Sequence, residues 1–155
     1  MKQMEGVLTY HEAGTYIRQV KMMLKRVKAL EHFIEINTKT HEQLLRIAKT
    51  FGKKNALLSF SEYRDTDYGA AYDEYCEELE TSLHRAKYLY EKTVDAWSRV
   101  PDEWVRNTLW YYYAEGHNIE DTAEHMLFSA SSVARYKKIG LAQMAEQMFG
   151  VLIQV

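Results

Sequence analysis

Two His-Glu pairs, His11-Glu12 and His41-Glu42, are the first residues of this 155-residue chain to suggest chemistry, because each opens like the zinc-protease motif H-E-x-x-H. That motif needs a second imidazole one helical turn later, so that two rings on one face hold the metal while the carboxylate activates water. The fifth positions are Thr15 and Leu45, and neither pair completes a site. His32, His84, His117 and His125 have no close partner along the chain and read as ordinary surface or half-buried residues. Asp73, Glu74, Glu77, Glu78 and Glu80 would be scattered by a helix over several faces, which makes a solvated acidic surface and not an ion site. Cys76 lies beside these acids, which raise a thiol pKa and blunt its nucleophilicity. With no Gly-rich phosphate loop either, the reading is no enzyme, no catalytic residue, no metal and no cofactor.

A different chemistry is written further on. From His125 to Ala145 there is no acid, and Arg135, Lys137 and Lys138 fall inside that stretch. Ser129 stands where an N-cap is needed, its hydroxyl able to accept from a backbone N–H two or three residues on, so a helix is predicted from Ala130. Ala123 lies ten residues before Val133, a small residue and an aliphatic one placed for a tight crossing of two helices. Ile119, Ala123, Met126, Phe128, Val133, Tyr136 and Leu141 supply an apolar set for a three-helix core. The face left outside carries Ala130, Ser131, Ser132, Ala134, Arg135, Lys137 and Lys138. Small polar groups at a helix N-terminus with cations further along suit entry into the major groove, with phosphates on either side.

The elements that must hold this helix are read from composition and period. Hydrophobic residues at 46% and charged residues at 27% are a globular balance, and 7 glycines with 1 proline are too few for the turns of a sandwich or barrel, so the predicted class is all-α. Tyr16, Val20, Met23, Val27, Leu30 and Ile34 recur at helical steps, and the count continues through Asn37, His41, Leu44 and Ala48. Polar groups thus enter the stripe beside Thr38 and Thr40, where a bend or break is expected. Gly52 to Asn55 read as a stop, and Ala56-Leu57-Leu58 as a short run packing on the helices. A second long helix is predicted from about Gly69 to Arg99, with Leu79, Leu83, Ala86, Tyr90, Thr93 and Trp97 on one side. Residues 1–58 carry 11 Lys+Arg against 5 Asp+Glu, and residues 59–100 carry 5 against 10, so the two long helices complement each other as an antiparallel hairpin. Lys21, Lys25, Arg26 and Lys28 read as a solvated face, with a nucleic-acid backbone as the alternative. Such a hairpin leaves an apolar edge for another copy to cover, which predicts a homodimer or higher oligomer. The predicted organisation is a long antiparallel hairpin over 1–100 and, after Pro101, a helix-turn-helix module over 101–155. In that module an aromatic helix ends at Gly116.

The stretch from Tyr112-Tyr113-Ala114-Glu115-Gly116 through Ile119-Glu120-Asp121-Thr122-Ala123-Glu124, then Phe128-Ser129 and Ser132-Val133-Ala134-Arg135-Tyr136, resembles the helix-turn-helix of sigma-factor region four and of phage late-gene activators of the RinA and ArpU type. The layout is similar too, with a long helical hairpin ending at Val100-Pro101-Asp102. The resemblance implies a phage or prophage transcriptional regulator that binds double-stranded DNA, with RNA polymerase as a further partner. Ser129 would cap the recognition helix, Ser131, Ser132 and Arg135 would face base edges, and Lys137 and Lys138 would hold phosphates. Three positions depart from the pattern: Leu127 stands in place of the usual turn glycine, Thr122 in place of a branched apolar residue, and Ala130 in place of a long polar one. The module's 4 Lys+Arg against 7 Asp+Glu also suits weak binding, made effective by dimerisation or by a partner.

Two alternatives stand beside that reading. One is a small terminase-like DNA-packaging protein; the other is a helical protein–protein interaction module that no longer touches DNA, with the apolar tail Val151-Leu152-Ile153-Val155 as part of its edge, a tail that reads equally as intramolecular packing. The single cysteine and the absence of a signal-like apolar stretch or a membrane-length apolar run predict a cytoplasmic protein with no membrane partner.

Overall fold

The computed structural model describes residues 6–54 and 67–155, and it is mostly helical. In chain order the elements are β1 (Val7–Thr9), α1 (Gly14–Lys54), α2 (Asp67–Ser98), α3 (Glu103–Leu109), a π-helical turn (Trp110–Ala114), α4 (Ile119–Met126), α5 (Ala130–Phe149) and β2 (Leu152–Gln154). Ala56-Leu57-Leu58 lie outside the described residues. No described helix is long and apolar enough to cross a membrane.

The chain divides into two compact units, one of Met1–Ala29 with Leu89–Val155, the other of Leu30–Tyr88. The first has the larger apolar core. Ile17, Val20 and Leu24 of α1 meet Ala96 and Val100 from the end of α2, Val105 and Leu109 of α3, and Leu141, Met144 and Ala145 of α5. Burying a side chain of the size of Leu24 or Leu109 contributes about 1.5–3 kcal/mol, so this layer dominates the unit's stability. The unit crosses Pro101, so that proline is no loose hinge: Val100 is buried, Arg106 Nη1 donates to Val100 O at 2.6 Å, and Trp97 Nε1 donates to Arg106 O at 2.8 Å. The tail that could have formed a partner-binding edge pairs inside the unit. β2 runs parallel to β1 with Leu8 opposite Ile153; Ile153 is buried, and Glu146 accepts its backbone N–H at 2.9 Å.

In the second unit α1 passes through Asn37–Thr40 without the expected break. Asn37 Nδ2 donates to Phe33 O at 2.8 Å and Thr40 Oγ1 to Ile36 O at 3.1 Å, so these side chains bond back to the helix itself instead of opening it. Asn37 and His41 of the stripe are half-buried, and His41 Nε2 meets Glu80 Oε1 at 2.8 Å. The other His-Glu pair is structural as well. Glu12 Oε1 accepts from Thr9 N, and Thr9 Oγ1 from Glu12 N, both at 3.2 Å, a reciprocal clasp in the turn that leads into α1.

Candidate nucleic-acid interface

Local chemistry fixes each part of the C-terminal module. Asp102 caps α3, Oδ1 accepting from Trp104 N at 2.8 Å and Val105 N at 3.3 Å. The helix then widens into the π-helical turn, with Glu115 N bonded to Trp110 O at 2.9 Å, and Gly116 at φ 75° ends it. Asn118 caps α4, accepting from Asp121 N at 2.7 Å. Thr122 is fully buried, with its hydroxyl donating to Asn118 O at 2.7 Å, so it fills the place of an aliphatic residue without leaving a polar group unpaired. Thr122 and Met126 are the buried residues of α4, while Ala123, expected at the tightest crossing, is half-buried.

The turn between α4 and α5 uses a leucine where glycine is easiest. Leu127 takes φ 58° and ψ 38°, and Phe128 N closes back to Ala123 O at 2.9 Å, the usual helix-ending pattern. The side chain of Leu127 is 90% exposed, so the residue gains no packing in return for its strain. Ser129 then caps α5, its Oγ accepting from Ser132 N at 3.1 Å. The same oxygen donates to Ser132 Oγ at 3.0 Å and lies 3.1 Å from Ser131 Oγ. With the Ser129 proton given to Ser132, Ser131 is left as the donor of that last bond.

Along α5 the sequence-predicted residues part company. Val133, Gly140, Leu141 and Met144 face inward. Ser131, Ala134, Arg135 and Lys138 are exposed and share one face by helical spacing. Arg135 leans on the ring of Tyr136 at 5.3 Å, and Lys138 Nζ lies 4.9 Å from the centre of Tyr10. Ser132 is half-buried in the cap. Lys137 is half-buried too and turns back onto the π-helical turn, its ammonium 3.7 Å from the centre of Tyr112 and 5.5 Å from that of Tyr113. The phosphate role expected for Lys137 therefore competes with a cation–π contact that fastens α5 to the module.

Gly140 is the contact that sequence reasoning missed. A Cβ there would lie 2.5 Å from Leu109 Cδ1 and 2.8 Å from Val105 Cγ1, so α5 crosses α3 with nothing between the backbone and those side chains. Beneath the crossing, burial pushes the Tyr113 phenol far above the usual value, with Tyr10 and Tyr112 adding to it. The histidines also hold a surprise. The ring of Tyr111 lies parallel to His117 at 3.9 Å and to His125 at 4.1 Å, which requires one imidazole on each face. Both histidines are isolated in sequence, so only the return of α4 could bring them together.

Partial burial, then Glu80 and Asp73, raise the Cys76 thiol above its ordinary value. Among the described residues no group of three His, Cys, Asp or Glu side chains is placed to hold a metal ion. Compared with profiles of protein families, with curated proteins and with solved structures, the chain matches none.

Proposed function

We propose that α4 and α5 form a helix-turn-helix that places the exposed face of α5 in the major groove of duplex DNA, and that the chain acts as a phage-type transcriptional regulator. The observation that carries this reading is the exposed Ser131, Arg135 and Lys138 face at the start of a helix that is acid-free through Ala145. Ser131 and Arg135 are the groups that reach base edges; Lys138 meets a phosphate. Two exposed cations make a weak monomer, and each further phosphate neutralised steepens the salt dependence, so two copies are needed for useful affinity.

The second copy docks through the long helices, which form a hairpin. Supporting this, each unit pairs a stretch of α1 with a stretch of α2, and in the second unit Phe33, Ile36, Leu45, Ile47 and Tyr75 stay exposed. Light scattering then gives a dimer, whereas a ring of eight or more copies would favour packaging over regulation. One observation favours a protein-binding module instead: between Asp102 and Met126 six acids stand against one base, Arg106. Fluorescence anisotropy of a labelled mixed-sequence duplex at low salt separates the two. Saturable binding, absent from a single strand of the same length, supports the regulator; no binding of either leaves the protein-binding module.

A further inference from the structure

All 3 tryptophans of the chain come to one place. Trp97 from the end of α2, Trp104 from α3 and Trp110 from the π-helical turn line an open cleft of about 450 Å³, joined by Tyr111 and by the polar ends of Asn107 and Glu115. Its walls are fixed before anything binds. The Trp97 indole is anchored by its bond to Arg106 O and lies 4.8 Å from Trp110 at 50°, and Tyr111 is clamped between two imidazoles. Trp104 leans edge-on against Phe128 at 5.6 Å yet remains 55% exposed. An indole left this open beside two others is costly in water unless something covers it.

The electrostatics select the occupant. Aromatic faces carry negative potential and attract cations, most strongly on tryptophan. The Lys28 ammonium already lies 5.5 Å from the centre of Trp110, so that ring attracts a cation in this structure, while Trp97 and Trp104 are left to another. Glu115 is the acid that lines the cleft, with Oε2 3.6 Å from His117 Nε2 and His125 on the opposite side of Tyr111, and the segment around it, Asp102 to Met126, has six acids and one base. A nucleotide would bring phosphate into that field and be repelled, and a neutral ring would gain nothing from Glu115. We propose that this cleft binds an organic cation, a guanidinium or an alkylated ammonium group, through its tryptophan faces and Glu115. The site is separate from the α5 face and does not depend on DNA binding.

Because every tryptophan lines the cleft, intrinsic fluorescence of the full chain reads it directly. The probes are choline, its neutral isostere 3,3-dimethylbutanol, ethylguanidinium, and short peptides carrying one arginine or one trimethyl-lysine, all at matched ionic strength. Choline and ethylguanidinium are expected to change the emission saturably, with dissociation constants on the order of millimolar, and the neutral alcohol is not. Glu115→Gln, which keeps every ring, should weaken choline about fivefold, a loss of about 1 kcal/mol; Trp104→Ala should weaken it further. A peptide that binds ten times tighter than the free cation identifies a protein side chain as the occupant, and equal affinity identifies a small molecule. Equal responses to choline and the neutral alcohol, or unchanged choline affinity in Glu115→Gln, would overturn the proposal.

Discussion

Gly140 lies against Leu109 so closely that a methyl group added to it would fall 2.5 Å from Leu109 Cδ1 and 2.8 Å from Leu109 Cγ. This contact sets the depth at which α5 crosses α3, and so the height at which Ser131, Arg135 and Lys138 stand above the module. Gly140→Ala should therefore destabilise despite the better helix propensity of alanine, by about 1–3 kcal/mol for overpacking a filled site. Urea unfolding measures it. Leu109→Ala in the same chain should recover part of the loss, because it removes the atoms in the way.

Leu127 is the opposite case, a side chain where none is needed. At φ 58° and 90% exposed it pays for a left-handed backbone with no burial. Leu127→Gly should raise stability by roughly 0.5–1 kcal/mol, seen as a higher thermal midpoint, and leave duplex affinity unchanged.

Lys137 and Arg135 are both cations of α5 with different tasks. Lys137→Ala removes the contact at 3.7 Å with Tyr112 and should lower stability by about 0.5–1 kcal/mol, with only a minor effect on DNA affinity. Arg135→Ala should do the reverse. Chemical denaturation and anisotropy on the same two variants check the separation.

Tyr113 makes the fold sensitive to alkali. Its pKa is raised in the folded protein by burial, so above about pH 10 the unfolded chain releases this proton while the folded one keeps it. Stability is complete below that pH and falls as pH rises past it. The denaturation midpoint of the native protein should drop between pH 9 and pH 11 by more than that of Tyr113→Phe, which has no proton to lose.

Much of this architecture was legible because it follows local rules. The period of α1 and α2, the cap at Ser129 and the left-handed Gly116 are each dictated within a few residues, and each lies where the sequence puts it. The strands were not legible: three residues pairing across the whole chain, Val7–Thr9 with Leu152–Gln154, leave no periodic signal. Nor was Gly140, whose meaning is the position of Leu109 thirty-one residues earlier. The aromatic cleft was hidden for the same reason. Trp97, Trp104 and Trp110 look like separate core residues along the sequence, and the fold brings them together from three different elements.

The salt dependence of duplex binding counts the phosphates that Arg135 and Lys138 would neutralise. Anisotropy titrations of the native protein and of Arg135→Ala/Lys138→Ala should be run over a series of salt concentrations. The slope of log K against log salt is expected to be shallower in the double variant by up to about 2 per chain bound, with affinity reduced at every salt concentration. Identical slopes and affinities for the two proteins, or no duplex binding by the native protein at low salt, would contradict DNA binding through this face.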